Sequence, residues 1–252
     1  MPLEFARTPE MTRDEIARRL RNPAVADDIR RDYLRIVTGP QPYRHAHYDA
    51  EQFFQFDAPA GVVRNIYGQR MLRVTGNFLR ALAKSLADHA TARTDHLFYQ
   101  LGRNWGAASM KEFTPRIEQE FEIDFTKMGM GVMLESWWWQ MRAAGWGNWH
   151  YDFRHARKGL VFVDLHDSAV VAALGQVGTT ACYLYSGLFA AAFSHLAHRD
   201  LACIELQCAA RGDSHCKFLV ATPQRVDAAA GQRNEGARAE QIIERLTATS
   251  AA

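Results

Sequence analysis

The stretch CIELQCAARGDSHCKF, residues 203–218, decides how this chain is read. It holds three of the four cysteines within fourteen residues, and the fourth, Cys182, heads the apolar run CYLYSGLFAAAFSHLA over 182–197. Two strand-like arms, DLACIELQC and HCKFLVAT, flank a turn containing Gly212, which predicts a hairpin. Residues on either side of such a turn face each other, so Cys208 and Cys216 can converge on one point. Glu205 reaches the same point if its strand kinks near the end. Cys182 opens the predicted helix over 182–197, where backbone N–H groups and the helix dipole favour a thiolate.

Three thiolates and a carboxylate are a suitable donor set for tetrahedral zinc, with Zn–S near about 2.3 Å. The bland alternative is that the cysteines are small buried hydrophobes. Glu205 argues against it, because a carboxylate inside the apolar strand ACIELQC is costly to bury unless paired or metal-bound. Strand alternation raises an objection. It puts Cys203 and Glu205 on one face and Cys208 on the other. On pattern alone, either Cys203 or Cys208 could be the third thiolate.

The run from Cys182 to Phe218 resembles the end of the 4-vinyl-reductase domain family, which includes the sensor domains of phenol- and toluene-responsive activators. In those sensors zinc is held by a cysteine, a glutamate twenty-three residues on, and cysteines in a Glu-x-x-Cys-x7-Cys run. Cys182, Glu205, Cys208 and Cys216 meet that spacing, so the resemblance assigns them as the metal ligands and leaves Cys203 out. The stretch GQRMLRVTGNFLRALAKSLADHATARTDHLFYQLGRNWGAAS is also similar, which extends the likeness over roughly residues 51–220. The resemblance implies a structural zinc, a homodimer, and a small aromatic or planar apolar ligand whose binding is passed to a partner protein. Four anionic ligands around a divalent ion need compensation, for which backbone N–H groups of the 210–215 turn, Arg211 and Lys217 are the nearest candidates.

Outward from this core, the chain of 252 residues divides into three. Residues 1–50 read as a short helical extension and linker, 51–222 as the zinc- and ligand-binding domain, and 223–252 as a helical or flexible tail. Strand-like FFQF and GVVRNIYGQRMLRV, with a turn at Gly68, precede helical patterns over 77–90 and 92–113. Residues 116–144 read as helical with a break near Gly129 and Gly131. A hairpin around Lys158–Gly159 follows. The order of elements predicts an α+β fold, helices packed on a small antiparallel sheet.

Residues 135–153, ESWWWQMRAAGWGNWHYDF, carry five of the six tryptophans. Tryptophans fill cores, yet this density also suits the wall of a pocket for a flat apolar ligand. Trp138, Trp146, Trp149 and His150 are the ligand-contact candidates, from composition and position. Asp164, His166 and Asp167 could make a general base, although HDS reads equally well as a helix N-cap. His45 and His47 have the spacing of a metal pair, within a turn-rich linker.

Composition narrows the function. A net charge of +2 from 30 basic and 28 acidic residues predicts neither a nucleic-acid nor an acidic-membrane partner. The charged N-terminus is no signal peptide, and the longest apolar run is too short to span a bilayer, so a cytoplasmic protein is expected. No GxxxxGK[ST] loop and no dinucleotide fingerprint is legible. These features favour a sensor or carrier over an enzyme. The alternative implied by the resemblance is an enzyme or accessory factor for vinyl reduction in tetrapyrrole metabolism. An assembly protein, as in vesicle-tethering subunits of similar fold, is a third.

Overall fold

The computed structural model describes residues 53–65, 67–89, 93–121 and 124–248. The N-terminal extension, with His45 and His47, lies outside the described residues. Among the described residues, two antiparallel sheets and seven α-helices form an α+β fold, as the sequence predicts.

The first sheet has the order β1-β2-β3, from Phe54–Asp57, Val62–Asn65 and Arg70–Met71. Gly68, at φ +77°, turns the chain between β2 and β3, a backbone region that glycine enters without steric cost. Helix α1 (Gly76–His89) leads to α2 (Thr94–Phe121), which runs through Pro115. The chain was expected to break near that proline. The break falls after Phe121 instead, and α3 begins at Met130 with Gly129 as its N-cap and Gly131 inside it. A proline removes one backbone donor and kinks a helix, a local cost that packing of the rest of α2 offsets.

The second sheet carries the site. Its order is β4-β5-β7-β6, with β4 Asn148–Asp152, β5 Val161–His166, β6 Ala202–Gln207 and β7 Cys216–Ala221. Short helix α4 (Ala169–Leu174) follows β5, and α5 (Tyr183–Ala197) precedes β6. Strand alternation divides the side chains of β5 and β7 between two cores. Val163, Leu165, Phe218 and Val220 face the main core with α2, α3 and α5. Phe162, Leu219 and Ala221 face a second core, closed by α6 (Pro223–Asn234) and α7 (Ala239–Ala248) through Val226, Ala229 and Ile242. Through residue 248 the expected tail is therefore a second helical layer. Its apolar residues are sparse enough to read as a loose end until the sheet face they cover is known.

Helices α2 and α5 pack at very short range. A Cβ placed on Gly187 would lie 2.0 Å from the Tyr99 carbonyl oxygen, and one on Gly102 would lie 2.0 Å from that of Leu184. Glycine at both positions lets the two backbones approach, which anchors the start of α5 and with it Cys182.

Candidate metal centre and adjoining cleft

Cys182, Glu205, Cys208 and Cys216 come together in the main core. One ligand atom from each lies within 4.8 Å of the others, and all four residues are buried. Cys182 is the N-cap of α5, Glu205 lies in β6, Cys208 follows β6, and Cys216 opens β7. The Cys216 sulfur is 3.6 Å from that of Cys182 and 3.8 Å from that of Cys208. Two ligands of a tetrahedral ion at Zn–S about 2.3 Å stand about 3.8 Å apart. The thiol spacing therefore suits zinc without rearrangement.

The alternation objection is answered by the strand itself. The β6–β7 register runs Glu205↔Phe218 and then Gln207↔Lys217, a bulge that places an extra residue on β6. Bulges re-aim the side chains that follow them. Ile204 and Leu206 both face the second core, while Cys203 and Cys208 face the main one. At the bulge the Glu205 carbonyl accepts from Arg233 Nη1 of α6 at 2.9 Å, so the C-terminal layer braces the ligand strand. Cys203 is buried on the inner face but stands outside the ligand group.

Electrostatics point the same way. Glu205 Oε2 accepts from the Cys182 backbone N–H at 3.0 Å, and buried Oε1 has no hydrogen-bond partner. Burial, with Cys208 alongside, pushes the Glu205 carboxyl well above the usual carboxylate range. Contacts with Cys208 and Cys216 raise the Cys182 thiol, whereas hydrogen bonds from Cys182 and Cys216 lower the Cys208 thiol. Without a cation, the group holds protons that a metal would displace.

The remaining anionic charge is met by main-chain donors. Ala209 N–H points at Cys216 Sγ at 3.4 Å, alongside the Cys182 N–H on Glu205. Arg211 and Lys217, the expected counter-charges, are engaged elsewhere. Arg211 pairs with Asp213 at 2.8 Å, and Asp213 in turn accepts the Cys208 backbone N–H. Lys217 follows a ligand by one residue, so it points to the other face of the sheet and pairs with Asp164 there. With four protein ligands, a bound zinc would have no open position for water, the arrangement of structural sites.

The tryptophan belt is distributed over several surroundings. Trp137, Trp138 and Trp139 of α3 are all buried, because neighbours cover more than one face of that helix. Trp137 Nε1 donates to Ser109 of α2 at 3.0 Å, Trp138 stacks on Trp149 of β4, and Trp139 meets Phe53. Trp149 Nε1 donates to the Tyr151 hydroxyl at 2.7 Å. Trp138 Nε1 is buried with no partner. Trp146 differs. It is partly exposed and lines two neighbouring clefts.

His150 lies between Trp149 and Tyr151 on β4, so it faces away from the main core. There it approaches His166, whose ring stacks on His215 at 4.8 Å. His215 Nε2 lies 3.3 Å from Asp164 Oδ1. The four ligand candidates thus do not line one cavity. Ser168 is the N-cap of α4 and accepts from Val171 N–H at 3.2 Å, as the HDS pattern predicts.

The larger cleft, about 580 Å³, lies between the first sheet, the start of α1, the end of α3 and α4. Apolar Phe54, Phe56, Val63, Met71, Leu79 and Trp146 line it, with five alanines opposite. Its residues are scattered from β1 to α4, which is why spacing in the sequence could not assemble it. The cleft is joined to the metal centre by one turn. Ser168 Oγ lies 3.4 Å from Cys182 Sγ, and the N–H of cleft residue Ala169 donates to the Trp146 carbonyl at 3.2 Å. That carbonyl also accepts from the Tyr185 hydroxyl of α5.

Comparisons with known proteins agree with this architecture. Residues 161–222 match the family model of the 4-vinyl-reductase domain. The fold is similar to the crystal structure of the phenol-responsive sensory domain of the transcription activator PoxR with phenol. The TM-score is 0.52 at 18% identity, covering 81% of this chain and 95% of that one. A vinyl-4-reductase family protein from Methanocaldococcus jannaschii also matches, at TM-score 0.38 and 12% identity over 84% of this chain and 95% of that one. No curated protein sequence matches. Among the described residues, no helix is long and apolar enough to cross a membrane.

Proposed function

We propose, for a chain that carries a 4-vinyl-reductase domain over residues 161–222, that it is a small-ligand sensor or carrier whose binding cleft is braced by a structural zinc. One observation carries the reading: the 168–169 turn touches the Cys182 sulfur on one side and lines the 580 Å³ cleft on the other. The likeness in fold to a sensory domain crystallised with phenol supports it.

Zinc held by Cys182, Glu205, Cys208 and Cys216 would tie the start of α5 to the β6–β7 hairpin. Its contribution would be to fold and rigidity. The cleft residues, Trp146 foremost, would bind an apolar aromatic or planar molecule by burying its surface. The reading includes a homodimer, and a partner protein that receives the ligand-bound state.

Native mass spectrometry of the purified chain, followed by thermal melts with phenols, alkylbenzenes and porphyrins, tests this. One zinc per chain and a ligand-dependent rise in Tm are expected, because a ligand that binds only the folded state stabilises it by mass action. Absence of zinc, or no shift with any of these compounds at millimolar concentration, refutes the reading.

A further inference from the structure

We infer that the cleft takes an apolar carboxylate larger than a single aromatic ring, with its carboxylate placed at Arg73. This inference rests on the reading of the cleft as a ligand site and specifies the class of ligand.

Size is the first argument. Benzene occupies an apolar cavity of about 150 Å³, whereas this cleft measures about 580 Å³. A lone phenol would leave most of it wet, with apolar walls facing water. A fused-ring arene or a chain of about ten carbons would cover Phe54, Val63, Met71 and the alanine wall together.

Charge is the second. Arg73 is the one charged residue among those lining the cleft. Its guanidinium lies over the Phe56 ring, 5.0 Å from the centroid, a cation–π contact that fixes where the charge sits. Among the described residues no carboxylate pairs with it, whereas Arg93, Arg103, Arg142, Arg154 and Arg211 all have acidic partners. An arginine fork pairs with a carboxylate through two parallel hydrogen bonds.

The rim is the third. Leu72, beside Arg73, is 83% exposed, and Phe56 and Val74 are exposed as well. Apolar side chains gathered at a concave mouth mark a surface with an occupant. A molecule with an apolar body and one anionic end satisfies the walls, the rim and the Arg73 guanidinium at once.

The test is titration of the full-length, zinc-loaded chain with matched acids and alcohols: 2-naphthoate against 2-naphthol, and decanoate against decan-1-ol. Tryptophan fluorescence and calorimetry at neutral pH give the affinities. Each acid is expected to bind at least about threefold more tightly than its alcohol, the scale of a partly exposed ion pair. Arg73→Gln should erase that preference without changing alcohol affinity or the Tm of the free protein, and Arg73→Lys should keep part of it. Equal binding of acid and alcohol, with Trp146→Ala weakening both, overturns the carboxylate assignment and leaves the cleft reading intact. An acid preference that survives in Arg73→Gln, or phenol binding as tightly as the two-ring acid, also overturns it. Binding of none of the four compounds removes the cleft reading, and this inference falls with it.

Discussion

Cys182 and Glu205 are joined by a hydrogen bond from the backbone N–H of the first to Oε2 of the second, at 3.0 Å. This bond orients the carboxylate at the helix start. It leaves Oε1 buried beside three sulfurs, with no hydrogen-bond partner of its own. A buried polar atom without a partner carries a desolvation cost, and a divalent cation among these ligands would remove it. The pair therefore links the helix that packs on α2 with the strand that carries the rest of the ligand set.

Ligand substitutions should separate structural from spare cysteines. Cys208→Ser and Cys216→Ser are expected to give insoluble or zinc-free protein, because metal binding energy becomes folding energy, up to about 10–16 kcal/mol in zinc-finger peptides. Cys203→Ser should keep one zinc per chain and remain soluble. Glu205→Gln should be milder, since the amide keeps the shape and the contact with Cys182. Elemental analysis of the four variants decides the assignment, and zinc lost from Cys203→Ser would contradict it.

The bulge predicts a contrast between truncating Leu206 and deleting it. Leu206 is buried in the second core, so Leu206→Ala should cost about 2–5 kcal/mol while zinc is retained. Deleting Leu206 would restore regular alternation and turn Cys208 to the opposite face. That variant should lose zinc even at temperatures where Leu206→Ala stays folded. Metal content measured on both proteins gives the answer.

How far these features were legible in the sequence follows from the same residues. The spacing of Glu205, Cys208 and Cys216 marked the ligand set, yet alternation spoke against it because a bulge leaves no reliable signal in a strand. The α+β order was readable from periodicity. The path of α2 through Pro115 was not, since tertiary packing outweighed a local rule. His150 was grouped with Trp149 by adjacency, and strand geometry puts neighbours on opposite faces. The cleft joins residues about 120 positions apart, Phe54 to Ala173, which composition alone could not connect.

Helix approach gives a third expectation. A methyl on Gly187 would stand 2.0 Å from the Tyr99 carbonyl oxygen, 2.7 Å from Arg103 N and 2.9 Å from the Tyr99 carbonyl carbon. All three are backbone atoms, so rotation of a side chain cannot relieve the overlap. Gly187→Ala should cost more than the about 1–3 kcal/mol typical of overpacking and should displace the start of α5. Denaturant melts would show a lower midpoint, and zinc affinity should fall with it. Gly231→Ala, where nothing lies within 4 Å, is the control and should be neutral or slightly stabilising.

Glu135 predicts a pH dependence unconnected with the metal. Burial raises its carboxyl to about 7, opposed only in part by Arg142 at 3.5 Å. Between the unfolded value near 4.5 and about 7, the folded chain holds a proton that the unfolded chain has released. Stability from this group is therefore present at low pH and declines as pH rises towards 7, by about 3 kcal/mol at roughly 1.4 kcal/mol per pH unit. Glu135→Gln should remove that slope. Urea melts of both proteins at pH 5 and pH 7.5 should show the wild type losing more stability than the variant over the interval. Parallel losses would refute the assignment.

The final prediction concerns coupling between zinc and the cleft through Ser168. Its hydroxyl caps α4 and contacts the Cys182 sulfur, and the next residue holds the Trp146 carbonyl. If zinc fixes this turn in the geometry that ligand requires, it raises ligand affinity, and linkage demands that ligand raise zinc affinity by the same factor. Chelator competition with and without 2-naphthoate should show slower, weaker zinc loss in its presence. Ser168→Ala should cost about 1 kcal/mol through loss of the cap and reduce the coupling, while leaving one zinc per chain. Equal chelator curves with and without a ligand that demonstrably binds would mean that the two sites are energetically independent, and that the turn between them is scaffold alone.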